Sequence, residues 1–365
     1  MRHGENTDNS IPVLRLVAWE LTRFCVLSCR HCRASAMNST CEGELSTEEC
    51  RSILDSIALM GSCIVILTGG EPMLRDDLYE IAAYGTEKGL KMVMATCGSL
   101  LTTESCRKLR DAGISRISLS LDGATAQSHD AFRGVEGAFD TLMNAATLLS
   151  NAGIEFQINT TVTKSNLHEL ENIYRTSINM GAVAFHPFLL VPTGRASELT
   201  GEIIAADEYE KVLNQIYELS LEKKIIVKPT CAPHYYRIFR ERESAEGRTV
   251  SKKTHGLDAV TKGCLGGQGF AFISHKGSVQ ICGFLDVSAG NLRSGNYDFG
   301  KIWWESQLFR KVRAVSEYHG RCGFCEYRMV CGGCRARAHT LNGDYLGEEP
   351  QCLYQPQLKK LSDKR

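Results

Sequence analysis

Six short apolar runs, each followed by a helical pattern, fill the first two-thirds of the chain. The runs fall at 14–20, 64–67, 91–95, 116–121, 156–162 and 183–190, and the helical patterns at 46–60, 76–88, 102–112, 135–152, 166–180 and 206–223. Ser46 and Glu49 stand at capping-box spacing before the first helix. Repeated βα units predict a parallel sheet with right-handed crossovers. Several runs are apolar on both faces, as buried parallel strands are. Six units are too few for a closed eight-stranded barrel. An α/β fold built on an open, partial (β/α)6 barrel of the TIM type is therefore expected. A doubly wound sheet is the alternative, and periodicity does not separate the two.

The pattern changes after this region. We divide the chain into a flexible leader (1–12), the barrel (13–224), a bridging segment (225–262), a small cysteine-rich unit (263–356) and a tail (357–365). A hairpin turning at 275–277 is expected in the fourth part. That part is too small to bury much core, so bound metal should hold it together.

Lys+Arg and Asp+Glu both number 42 in 365 residues, which argues against a nucleic-acid binder. No run approaches the roughly 20 apolar residues of a bilayer-spanning helix, and the polar first residues predict no secretory signal. A cytoplasmic protein is expected. Sixteen cysteines are many for such a chain, and their clustering points to metal or redox chemistry.

The first cluster is Cys25-Val-Leu-Ser-Cys29-Arg-His-Cys32, directly after the first strand. Three thiolates at this spacing can wrap one corner of a [4Fe–4S] cube and leave one iron open to bind something. The alternatives are a zinc loop with His31 as fourth ligand, or thiols packed as small hydrophobes.

The CxxxCxxC motif after a first strand resembles that of the radical SAM enzymes. The resemblance implies a partial (β/α)6 barrel and a [4Fe–4S] cluster on Cys25, Cys29 and Cys32. Its open iron would bind S-adenosylmethionine (SAM), whose reductive cleavage gives a 5′-deoxyadenosyl radical. It extends to Gly69-Gly70-Glu71-Pro72, similar to the family's GGEP motif, which holds the methionine ammonium. By the same resemblance Ser120 and Asp122 would touch the ribose and carboxylate, and Asn159 and Thr161 the ribose. Arg133 would hold the carboxylate, and His31 would lie near the adenine. A cap or turn role is the alternative for each polar residue. Ala95-Thr96-Cys97-Gly98 departs from the family's usual Thr-Asn-Gly and puts a thiol at the cavity.

The later cysteines read Cys264-x12-Gly277-x4-Cys282, Cys322-x2-Cys325-x5-Cys331-x2-Cys334 and Cys352. This resembles the SPASM domain, which carries one or two auxiliary [4Fe–4S] clusters; a pair of zinc knuckles is the alternative. The resemblance implies an outer cluster on Cys322, Cys325, Cys331 and Cys352, and an inner one on Cys264, Cys282 and Cys334. The x2 interval before Cys334 is shorter than the common x3. No cysteine lies just before Cys264, so the inner cluster has an open iron, recruits Cys231, or is absent. Cys41, Cys50, Cys63, Cys97, Cys106 and Cys231 are otherwise free thiols.

Longer stretches, among them 17–23, 29–36, 228–237, 263–267, 280–284 and 331–338, are similar to the tetrapyrrole-modifying branch of the radical SAM family. That resemblance implies oxidative decarboxylation of two propionates of iron coproporphyrin III to vinyls, giving protoheme. Deacetylation of didecarboxysiroheme and a step of d-type heme formation are alternatives within the branch, and peptide modification is one outside it. A low-potential donor such as ferredoxin or flavodoxin would supply electrons. Arg23, Arg195, Arg237, Arg240, Arg335 and Arg337 are candidate propionate anchors. His186 and His234 are candidate ligands of the substrate iron. Phe188, Tyr235 and Tyr236 are candidates to stack on the macrocycle.

Overall fold

The computed structural model describes residues 12–255 and 261–357. Nearly all of the expected leader and tail lies outside them. Seven parallel strands follow one another along one sheet: β1 (Leu16–Thr22), β2 (Ile64–Gly69), β3 (Lys91–Ala95), β4 (Arg116–Ser120), β5 (Glu155–Val162), β6 (Ala184–Leu189) and β7 (Ile226–Val227). Each pairs with its sequence neighbour. A doubly wound sheet reverses strand order at a switch point. No reversal occurs here, and the two edges do not pair, so the sheet is an open partial barrel.

The connecting helices are α1 (Thr47–Ala58), α2 (Leu78–Glu87), α3 (Thr103–Asp111), α4 (Ala126–Arg133), α5 (Ala138–Asn151), α6 (Leu170–Asn179) and α7 (Ala206–Leu221). Ser46 and Glu49 form the reciprocal capping box that starts α1. The short α4 has no counterpart in the sequence reading. Its Thr125–Ser128 capping box starts it and Gly134, in the left-handed region, ends it.

Strand alternation divides the sheet into two faces. Val17, Trp19, Val65, Leu67, Met92, Met94, Ile117, Leu119, Phe156 and Ile158 are buried within the main hydrophobic core. The opposite face carries Ser118, Ser120, Gln157, Asn159 and His186, all half-buried. The sequence runs read as apolar on both faces, yet this second face turns polar toward the strand ends. Parallel α/β folds place their ligands at those ends.

The bridge is not a simple linker. It supplies β7 and a helix, α8 (Tyr235–Ala245), whose Tyr235, Tyr236, Ile238 and Phe239 are buried. Beyond it the hairpin forms from β8 (Phe270–Ile273) and β9 (Ser278–Gln280), with a short β10 (Gly290–Asn291) beside it. The hairpin does not stand apart. β8 pairs in parallel with β1, from Leu16 opposite Phe270 to Trp19 opposite Ile273, so barrel and cysteine-rich part share one ten-stranded sheet.

Candidate active site

β1 delivers the first cysteine loop to the mouth of the barrel. Two hydrogen bonds pin its stem, from the Cys25 N–H to the Met37 carbonyl and from the Met37 N–H to the Arg23 carbonyl, both at 2.8 Å. Cys25 and Cys29 are buried and Cys32 is half-buried. The Leu27 and Ala36 N–H groups donate to the sulfurs of Cys25 and Cys32, each at 3.4 Å.

The end of β2 presses against this loop. The Gly70 N–H meets the Thr22 carbonyl at 2.7 Å and the Glu71 N–H meets the Phe24 carbonyl at 2.8 Å. A Cβ on Gly69 would lie 2.2 Å from the Thr22 oxygen, and one on Gly70 2.3 Å from the Phe24 oxygen. Only glycine permits this approach. Pro72 opens the short turn that follows. Glu71 is fully buried and accepts from the Thr96 hydroxyl at 2.8 Å, the Cys97 N–H at 2.8 Å and the Met73 N–H at 3.1 Å. Burial raises its pKa despite these donors. Cys97 thus places its N–H on the Glu71 carboxylate, and its thiol lies 3.1 Å from the Ser99 hydroxyl.

A second contact comes from the segment after β6. Gly194, in the left-handed region, would put a Cβ 2.2 Å from the Arg33 carbonyl. Next to it, the Arg195 guanidinium donates to the carbonyls of Cys29 at 2.9 Å and Ala36 at 2.6 Å, and its N–H to that of Cys32 at 3.0 Å. Arg195 therefore clamps the cysteine loop instead of standing free for a substrate carboxylate.

Past the end of β4, buried Asp122 accepts from the Thr161 N–H at 2.7 Å and pairs with Arg133 at 2.8 Å. The Arg133 N–H is misaligned for a hydrogen bond there, although the charges are in contact. Burial works to raise the Asp122 pKa, but Arg133 and the neighbouring histidines outweigh it and hold the carboxyl low. Arg133 also reaches the Cys29 sulfur at 3.5 Å. His31 lies against Phe132, with ring centroids 4.6 Å apart, and burial brings its pKa to about 4. Its Nδ1 is buried without a partner. Ser120 and Asn159 are opposite each other in register, and Asn159 is opposite His186. Gln157 joins that row through bonds to Asn159 at 3.0 Å and to His186 Nδ1 at 3.2 Å.

Two residues flanking the loop, Glu20 before it and Arg33 after it, matter that sequence reasoning passed over. Glu20 is buried and gathers Arg33 at 2.8 Å, Arg23 at 3.1 Å and His275 at 2.8 Å. Arg33, next to Cys32, also donates to the Gly283 carbonyl at 3.2 Å and covers the Phe272 ring at 4.6 Å. The first cysteine loop is thereby tied to the hairpin. A carboxylate at the strand end with two arginines just after it was the available signal.

In the C-terminal part, Cys322, Cys325, Cys331 and Cys352 line one cavity together with His234 and Arg237. His234 is buried with neither ring nitrogen partnered. Cys264, Cys282 and Cys334 lie in a second group near Cys231. Among the described residues, no three metal-ligating side chains converge as on a single ion. The nominated arginines are mostly committed to the protein. Arg335 and Arg337 are buried, the first on the Tyr345 and Gly347 carbonyls, the second on Glu349 and the Leu189 and Leu190 carbonyls. Arg237 pairs with Glu210 and Glu241. Tyr235 and Tyr236 face the core, while Phe188 stays half-buried on β6.

Residues 19–176 match the radical SAM superfamily. A protein of Methanosarcina barkeri named AdoMet-dependent heme synthase is 51% identical over 342 residues, covering 94% of this chain and 97% of that one. This chain belongs to the radical SAM family. A second protein of the same organism, named Fe-coproporphyrin III synthase, is 30% identical over 353 residues, covering 92% and 87%. The crystal structure of Streptococcus suis SuiB bound to S-adenosylmethionine shares the fold, with a TM-score of 0.72 at 17% identity over 94% of this chain and 78% of that one. The family implies a [4Fe–4S] cluster and SAM for this radical SAM enzyme. The residues fit both: three cysteines at the barrel mouth, glycines whose Cβ atoms would strike backbone, and buried polar atoms aimed at the same region. Among the described residues no helix is long and apolar enough to cross a membrane.

Proposed function

We propose that this radical SAM enzyme oxidatively decarboxylates two propionates of iron coproporphyrin III to vinyls, giving protoheme. The observation that carries this reading is the contrast within one organism: 51% identity to the protein named heme synthase against 30% to the one named Fe-coproporphyrin III synthase, each over nearly the whole chain.

When bound, a reduced cluster and SAM supply a radical able to take a hydrogen atom from an unactivated carbon. Cys25, Cys29 and Cys32 would hold that cluster, on a loop kept in place by Arg195 and the Gly69–Gly70 contact. The Glu71 carboxylate and the backbone at Gly69 and Gly70 would receive the methionine ammonium. Arg133, already tethered to Asp122, would meet the SAM carboxylate. Ser120, Asp122 and Asn159 would orient the ribose, and His31 with Phe132 would flank the adenine. For each propionate, one hydrogen atom, carbon dioxide and one electron must leave. The half-buried face of β4 to β6 offers His186 and Phe188 to a macrocycle. We further propose auxiliary [4Fe–4S] clusters on the outer group Cys322, Cys325, Cys331 and Cys352 and on the inner group Cys264, Cys282 and Cys334. A low-potential donor such as ferredoxin or flavodoxin would act with them.

The test is anaerobic. Reconstituted enzyme, SAM, a low-potential reductant and iron coproporphyrin III should give a product lacking two CO2 and four hydrogens. No carboxyl loss, with acetate loss from didecarboxysiroheme, would replace this reading by the deacetylase.

A further inference from the structure

The inner group of cysteines is one thiolate short of a fully ligated cluster, and the bridge passes beside it. After β7, Thr230 makes a parallel bridge with Phe188 of β6, and the chain then turns sharply at Cys231. Cys231 has φ +55°, a left-handed conformation unusual for a residue with a side chain. Such strain persists where surroundings impose it, and it clusters at functional sites. Here two donors impose it. The Cys231 carbonyl accepts from Arg337 at 2.9 Å and from the Tyr209 hydroxyl at 3.1 Å.

Those contacts bring the turn to the other three cysteines. Arg337 lies one helical turn after Cys334, and its N–H donates to the Cys334 sulfur at 3.4 Å. Pro233 packs on Gly263, just before Cys264, so closely that a Cβ there would lie 2.7 Å from the Pro233 oxygen. A Cβ on Gly266 would meet both the Cys264 sulfur at 3.6 Å and the Ile281 carbonyl at 3.3 Å, which places Cys264 beside the chain leading into Cys282. None of the four cysteines is in a disulfide.

We propose that Cys231 is the fourth thiolate ligand of the inner auxiliary iron–sulfur cluster, completing the set Cys264, Cys282 and Cys334. Arg337 joins the Cys231 turn to Cys334, and the Pro233–Gly263 contact joins it to Cys264, so four thiols gather round one place and are suited to sharing a cationic iron core. The inner cluster is then closed by the protein, with no open iron. It serves electron traffic and does not bind substrate directly. The ligand comes from the bridge, so the cluster staples the end of the barrel to the cysteine-rich part.

This inference rests on the reading of the tail as an iron–sulfur region, and the experiment separates the two. Full-length protein and the variants C231A, C231S, C264A and C63A are reconstituted anaerobically. Iron per chain and the electron paramagnetic resonance (EPR) spectrum after dithionite are measured. C231A and C264A should each lose about four irons and the same spectral component, with C63A matching the wild type. C231S should keep the iron with shifted g-values, and it carries the test if C231A does not fold. C264A losing the component while C231A or C231S matches C63A would overturn the assignment of Cys231. If C264A also matches C63A, the inner cluster itself falls, and the inference with it.

Discussion

The Arg195 guanidinium, on the segment that follows β6, holds the Cys29 carbonyl at 2.9 Å. One side chain thus joins the end of β6 to the loop that leaves β1. Arg195→Ala should lower cluster iron under mild chelation and cut SAM cleavage at least about tenfold, because the loop loses the two hydrogen bonds that position it. Arg195→Lys should restore little, since a lysine lacks the fork that reaches two carbonyls. Iron release kinetics and 5′-deoxyadenosine formation are the readouts, and full rescue by lysine would contradict the clamp.

Gly70→Ala should be more damaging than its size suggests. The added methyl would stand 2.3 Å from the Phe24 oxygen, and backbone cannot retreat without moving Cys25. We expect a loss of about 2–4 kcal/mol in stability and SAM cleavage near background. A variant that cleaves SAM at the wild-type rate would show that the strand end and the loop move independently.

Glu20 carries a pH signature. Burial alone would raise its pKa, but the His275 hydrogen bond and the Arg33 and Arg23 charges bring it down to about 2. A depressed carboxyl stabilises the fold above its unfolded value, near 4.5, and that contribution is lost as pH falls toward 2. Glu20→Gln should therefore cost about 2 kcal/mol at pH 5, a cost that shrinks as pH falls from about 4.5 toward 2. Denaturant unfolding of both proteins across that range checks it.

Arg337→Met should destabilise the protein by about 3–5 kcal/mol, because it strands Glu349 as a buried charge. Adding Glu349→Gln should recover part of that loss. The substrate KM of the folded double variant should stay near the wild-type value. A large rise in KM without a change in melting temperature would instead mark Arg337 as a substrate contact.

His234→Leu should leave the iron content of the outer four-cysteine site unchanged and make its reduction potential more negative. A buried ring with two unpartnered nitrogens beside sulfur is a hydrogen-bond donor in waiting, and such donors raise cluster potentials. Redox titration followed by EPR decides this; an unchanged potential would assign His234 to packing alone.

The barrel was readable in the sequence because its signals are local. The run at 64–67 lies within β2, and the Ser46–Glu49 box starts α1 where the spacing predicts. The cysteine loop and Gly69–Gly70 were legible as motifs for the same reason. The roles of the arginines were not. Arg195, Arg335 and Arg337 look alike as unpaired cations in a sequence, and only tertiary packing shows that backbone carbonyls consume their donors. Likewise α8 was hidden because its buried stripe is mixed with Arg237 and Glu243, charged residues that are buried with their partners.

The pairing of β8 with β1 fixes more than the shape of the sheet. A cysteine-rich part joined to the barrel only by a tether would be free to swing as a lid over the mouth. Here its hairpin is hydrogen-bonded alongside the very strand that carries the first cysteine loop, and Glu20 and Arg33 bolt the two together at the top. The backbone acts as a ruler between the barrel mouth and the second array of cysteines. The separation between the first cysteine loop and the second array is thus set when the chain folds, whatever the barrel mouth later receives.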